Sequence, residues 1–176
     1  MSTKFTYALI LTICGVVFSL LMFFTGFQTE KLAIGQKIEW LRLVITVVVL
    51  YLGVKAVREE APGKGLSYGQ ALGAGTLISL YATLMGSVYA YIHFKFVNPN
   101  FFTYQLNMLR EQWAAKGIPD AQIDRMADMT EKWSGPAIYA CVGFVIGFIV
   151  CFIVSLIVAA IVKRAPQEAT PPLAAA

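Results

Sequence analysis

The chain has 176 residues, of which 58% are hydrophobic and only 14% charged, with a mean hydropathy of +0.68. A soluble domain carries charge on about a quarter of its residues, so this composition excludes an ordinary soluble fold, and long apolar blocks point to an all-α membrane protein. The formal net charge of +4 comes from 14 Lys and Arg scattered in ones and twos. They lack the clustering and interleaved aromatics of a nucleic-acid surface, so membrane lipids and membrane proteins are the expected partners and nucleic acid is not.

Four stretches are long enough to cross about 30 Å of hydrocarbon as helix, which takes roughly 20 residues. The first, about Phe5 to Phe27, holds no charge. It is too long for the apolar region of a signal peptide and no small-x-small cleavage site follows Gly26, so it is read as a retained span. The second runs from about Ile38 to Val57. Its β-branched core would suit a strand in water, but a lone strand in lipid leaves its backbone unpaired, so helix is expected. Arg42 and Lys55 stand near its ends, where long side chains snorkel to headgroups, and Trp40 is placed as an interfacial anchor.

The third span, about Tyr68 to Phe94, is the least apolar. In it Gly75, Ser79, Thr83 and Ser87 recur every fourth residue, along one helix face. The segment from about Pro99 to Ser134 is patterned as an extramembrane helical hairpin. Pro99 suits a helix start; Phe102, Leu106, Leu109 and Trp113 form an apolar stripe; and Gly117 is a natural stop. Pro119-Asp120 opens a second helix with Ile123, Met126, Met129 (or Thr130) and Trp133 on its apolar face. These two stripes can bury on each other, on the bundle, on the headgroup layer or on a partner.

The fourth span follows Gly135-Pro136 and runs from about Ala137 to Val162, stopped by Lys163-Arg164. Gly143, Gly147, Cys151, Ser155 and Ala159 repeat along it every fourth residue. Small residues in register let helix backbones approach, a main source of helix association in lipid. The two stripes therefore predict packing of spans three and four on each other, with a homo-oligomer seam as the alternative. Residues 165–176 form a Pro/Ala tail expected to be disordered. The first 164 residues thus make one four-helix transmembrane domain.

Four spans place both termini on one side. That side holds Lys4, Lys55, Arg58, Lys64, Lys163 and Arg164 in short segments; the other holds Lys31, Lys37, Arg42, Lys95, Arg110, Lys116, Arg125 and Lys132 over nearly twice as much chain. Cation density favours cytoplasmic termini.

No constellation for catalysis, cofactor or metal is apparent. Cys14, Cys141 and Cys151 lie inside apolar runs without zinc spacing, and His93, the single histidine, stands at the end of span three as a polar end-piece. Gly63-Lys64-Gly65-Leu66-Ser67 lacks the full phosphate-loop spacing and its preceding strand. Arg42, Lys55, His93 and Lys95 are all placed within about two turns of a span edge, so no deep ionisable group of the kind that couples transport is expected.

The overall pattern resembles the DUF4199 family of bacterial integral membrane proteins, frequent in Bacteroidetes, a domain of unknown function. The resemblance rests on Leu66-Ser67-Tyr68-Gly69-Gln70-Ala71 opening span three, on Tyr91-Ile92 and Val97-Asn98-Pro99-Asn100-Phe101 at its exit, and on Lys116-Gly117-Ile118-Pro119-Asp120-Ala121-Gln122-Ile123 in the hairpin. It extends to Ser134-Gly135-Pro136 and the Ser155 to Lys163 close of the last span, with Pro119 a departure where Ser is more usual. It implies a four-span inner-membrane protein and carries over no catalytic residue. The sequence thus leads to a non-enzymatic scaffold, accessory or assembly subunit, with a small transporter or channel subunit lined by span three as the alternative.

Overall fold

The structure is a computed structural model that describes residues 2–165; the tail from 166 onward, expected to be disordered, lies outside the described residues. Helix α1 (Thr3–Phe24) is followed by a tight turn, the short α2 (Leu32–Ile38) and α3 (Trp40–Glu60). A 3-10 turn (Pro62–Lys64) leads to α4 (Tyr68–Ile92), which ends in a π-helical turn (His93–Val97). Helices α5 (Phe101–Ala115) and α6 (Asp120–Lys132) form the hairpin, and α7 (Pro136–Val162) closes the chain. Four segments, Thr3–Phe24, Leu32–Glu60, Tyr68–Val97 and Pro136–Val162, are long and apolar enough to cross a membrane, and the protein is an all-α polytopic membrane protein. Their outward faces carry Val17, Leu21, Val44, Val88, Ile146 and Ile157, all exposed in a way that lipid, but not water, rewards.

Local chemistry sets the helix ends. Met22 and Phe23 carbonyls accept from the Phe27 and Gly26 amides, a Schellman closure of α1 that needs the left-handed Gly26 (φ 82°). Trp113 and Ala114 receive the Ile118 and Gly117 amides in the same way, so Gly117 (φ 74°) ends α5. Ser67 and Gln70 form a reciprocal capping box at the start of α4.

The second span begins earlier than its apolar run suggests. Lys31, Gln36, Lys37 and Glu39 make its first two turns polar, yet α2 is helical and runs into α3 with one break at Glu39. It is seated by close approach: a Cβ on Gly35 would stand 1.9 Å from the Phe27 carbonyl oxygen. Arg42 thus lies ten residues from the Leu32 end of the Leu32–Glu60 segment, about 15 Å of helical rise, and two residues into α3.

The core runs between the four spans, with Ala8 from α1, Leu50 and Val54 from α3, Ala71 and Ile78 from α4, and Val158 and Ala159 from α7. The most extensive contact is between α4 and α7. At the end holding the termini, the backbones of Leu66 and Arg164 exchange two hydrogen bonds (2.8 and 3.0 Å), and Arg58 donates to the Val162 carbonyl at 3.3 Å. At the other end a cluster of Leu32, Phe94 and Phe101 joins α2, the π-helical turn and α5, so the hairpin is seated on the bundle through the start of α5.

The α4–α7 contact supplies a sharp test. A Cβ on Gly75 would meet Ser155 at 2.9 Å, whereas one on Gly73, two residues away, would meet nothing within 4 Å. Gly75→Val should destabilise the bundle by about 1–3 kcal/mol through overpacking, and Gly73→Val should be near neutral, read as unfolding midpoints in detergent. Equal effects of the two would contradict this packing.

Candidate functional site

The small-residue stripes meet between α4 and α7, but not along their whole length. Gly75, Ser79, Cys151, Ser155 and Ala159 are buried there, and the Ser79 and Ser155 hydroxyls lie 3.2 Å apart across the helices. Gly147 is half-buried, its added Cβ 3.6 Å from the Thr83 methyl. Gly143 is exposed with nothing within 4 Å, and Ser87 is half-buried. The hydroxyls of span three bond to their own helix: Thr76 to Leu72 O, Ser79 to Gly75 O, Thr83 to Ser79 O and Ser87 to Leu84 O, at 2.7–2.9 Å.

The hairpin residues divide. Leu106, Leu109 and Trp113 on α5, with Phe102, are half-buried, and Ile123 is buried. The inner face of α6 continues through Met126, Ala127 and Thr130, while Met129 and Trp133 are 65% and 75% exposed. Of the two registers open from sequence, Thr130 rather than Met129 follows the inner face. Ala127, fully buried, sets that register and is too small to stand out as an apolar anchor. Across the hairpin Arg110 and Asp124 form an exposed pair at 3.5 Å, worth little by itself.

A polar centre that periodicity does not reveal lies where α1, α2, α4 and the hairpin converge. His93 is fully buried, not an end-piece. Its Nε2 is 2.9 Å from Gln28 Oε1 and its Nδ1 is 3.0 Å from the Tyr89 hydroxyl. Gln28 in turn donates from its amide nitrogen to Ser19 Oγ at 3.3 Å, so its oxygen receives the His93 Nε2–H and Nδ1 accepts from Tyr89. Asn98 donates to the Gln28 carbonyl at 3.1 Å, and its own amide closes the π-helical turn on His93 O at 2.8 Å. The signal available in sequence was weak: one Gln in a turn beyond an apolar span, matched to a lone His 65 residues away.

Beside this network is a cavity of about 250 Å³, whose walls include Gln36, Glu39, Arg42, Gln105 and Tyr139. Arg42 and Glu39 are 3.8 Å apart, too long for a tight charge-assisted hydrogen bond.

With this geometry in view, kinship is decided by a family model described as a protein of unknown function, DUF4199, which matches residues 6–164. The chain belongs to the DUF4199 family. The match reaches from the first turns of α1 to just past the end of α7, taking in the hairpin and the polar centre of this DUF4199 protein. No curated protein and no solved structure matches the chain.

The buried network predicts coupled mutational effects. Gln28→Leu and His93→Leu should each destabilise by about 1–3 kcal/mol, because each strands the other's polar atom. The double variant should fall short of the sum of the two, read as a thermodynamic cycle on unfolding in detergent. Strict additivity would show that the two side chains do not interact.

Proposed function

We propose that this DUF4199 protein is a non-enzymatic accessory, scaffold or assembly subunit of a membrane complex. The supporting observation is how the polar groups of the third span are arranged. Its hydroxyls bond their own carbonyls, and Ser79 faces Ser155 in a closed seam, so they offer a solute no string of free donors and acceptors. A channel along that span is the weaker reading for this reason. The surface left to an interaction is the outer side of α6, a helix that packs chiefly against α5, where Met129 and the C-terminal cap residue Trp133 are exposed. A membrane-protein partner is the occupant favoured here, since Trp133 lies at the junction of the hairpin with α7.

The location proposed is the bacterial inner membrane with both termini cytoplasmic. Lys4, Lys55, Arg58, Lys64, Lys163 and Arg164 gather at the end where Leu66 pairs with Arg164, and such density favours the cytoplasmic face.

Gentle extraction followed by native mass spectrometry tests the role. A stoichiometric membrane-protein partner should be retained and then lost in the Met129→Ala, Trp133→Ala double variant, whose exposed positions leave the fold intact. A lone monomer or a homo-oligomer would overturn the reading. For sidedness, in a background with its three cysteines replaced, Asp128→Cys should react with an impermeant maleimide in intact spheroplasts and Lys163→Cys should not. The reverse pattern would invert the topology.

A further inference from the structure

The cavity at the hairpin end holds a charge at a depth where a bilayer protein seldom keeps one without a purpose. Nη2 of Arg42 lies 3.5 Å from the position of a Cβ on Gly15. Gly15 is nine residues from the end of α1, so the guanidinium lies about 13 Å along that helix from the hairpin end. An arginine carries five N–H donors, and inside a bilayer an ionised side chain is costly unless it is paired or faces a polar cavity. Among the described residues the Arg42 side chain, 49% exposed, donates no hydrogen bond, and its charge partner Glu39, 40% exposed, stands 3.8 Å away, so both groups are open to a ligand. Gln36, exposed, and Gln105, half-buried, line the same cavity and also make no side-chain hydrogen bond among the described residues. These groups differ from the His93, Gln28 and Tyr89 set beside them, whose polar atoms satisfy one another.

We infer that this cavity binds a small zwitterion, an oxyanion and a primary ammonium a few bonds apart, with Arg42 taking the oxyanion and Glu39 the ammonium. A planar guanidinium matches phosphate or carboxylate oxygens two at a time. A simple anion would be repelled by Glu39, one helical turn away, and a simple cation by Arg42. A zwitterion satisfies both and adds no net charge to the site, which limits the desolvation penalty. The Tyr139 ring on the wall offers a face to the ammonium, and the Gln36 and Gln105 amides can complete the remaining oxygens. A volume of about 250 Å³ accommodates a headgroup-sized molecule and leaves no room for acyl chains. Two sources share this chemistry: the phosphoethanolamine headgroup of a lipid entering from the bilayer, and a free zwitterion of the same kind from the aqueous side.

The test uses the delipidated full chain in detergent, with lipid retention read by native mass spectrometry. The probes are phosphatidylethanolamine, phosphatidylglycerol and phosphatidylcholine of matched acyl chains. Phosphatidylethanolamine should be retained about tenfold over the other two, since phosphatidylglycerol lacks the ammonium and the methylated ammonium of phosphatidylcholine cannot donate to Glu39. Arg42→Gln should abolish retention with helicity unchanged by circular dichroism. Glu39→Gln, a milder change that covers the case where Arg42→Gln does not fold, should erase the preference for phosphatidylethanolamine over phosphatidylglycerol. Displacement of the lipid by millimolar glycerophosphoethanolamine, a phosphodiester zwitterion of no net charge, would assign the site to a free zwitterion; persistence of the lipid would assign it to the headgroup. Equal retention of the three lipids by the wild-type chain, or a preference that survives in folded Glu39→Gln, would overturn the inference. So would failure of both phosphatidylethanolamine and glycerophosphoethanolamine to bind.

Discussion

Lipid tails are as apolar as leucine side chains, so helices in a bilayer gain little from hiding apolar surface and much from close backbone approach. In this protein that approach occurs where Gly75 of α4 meets Ser155 of α7, and the arrangement of the other spans follows from it. With no side chain at Gly75, Ser155 reaches the α4 backbone and shares a hydroxyl contact with Ser79, while each serine also bonds a carbonyl of its own helix. The groove formed beside this pair takes Val54 from α3, whose methyl is 3.4 Å from the same Gly75 position, and Gly53 lets Ile78 and Tyr7 close on the other side of α3. Polar groups buried here are therefore paired internally, as hydrocarbon requires.

The two ends of the bundle are held by different contacts. Backbone pairing of Leu66 with Arg164 fixes the start of α4 to the exit of α7. At Gly143, twelve residues before Ser155, α7 has no neighbour against that face. Large rings take over at that end: Phe94, Phe101, Phe102 and Tyr139 have centroids 4.4–5.9 Å apart. Rings pack at greater helix separation than glycine and serine, and space between α1, α2, α4 and α5 is the consequence. The Gln28–His93 network fills part of it, and the π-helical turn widens the end of α4 enough for Asn98 to turn back to the Gln28 carbonyl.

The four spans were legible in the sequence because hydrocarbon thickness demands uninterrupted apolar blocks, and cap chemistry at Ser67–Gln70 and Gly117 is local. The spacing of the small residues was equally readable, since a four-residue repeat is a property of one helix. The start of the second helical segment at Leu32 was not. Hydropathy marks where a segment becomes apolar, whereas the helix itself starts earlier, through the polar residues of α2, and is held there by a contact of Gly35 with the Phe27 carbonyl that no pattern encodes. The cavity had no signature for a related reason: Gln36, Arg42, Gln105 and Tyr139 come from four helices, each residue unremarkable in its own segment. His93 looked like an end-piece because its partner Gln28 lies in a turn, outside any periodic stretch.

The hairpin links the two surfaces on which function is placed. Its first helix faces inward, with Phe101 in the aromatic cluster and Phe101 and Gln105 on the cavity wall. The second, α6, packs chiefly on α5, through a face that includes Ile123 and Ala127, and turns Met129 and Trp133 outward. Any force on α6 is therefore transmitted to the cavity mainly through α5, or through the short Trp133 to Gly135 link into α7, where Tyr139 completes the wall one turn later. A Cβ on Gly135 (φ 157°) would meet nothing within 4 Å, while Ser134 holds the link to α6 through its hydrogen bond to the Thr130 carbonyl. On the proposed reading, contact at the outer face of the hairpin and occupancy of the cavity act on the same two connections, α5 and the link into α7.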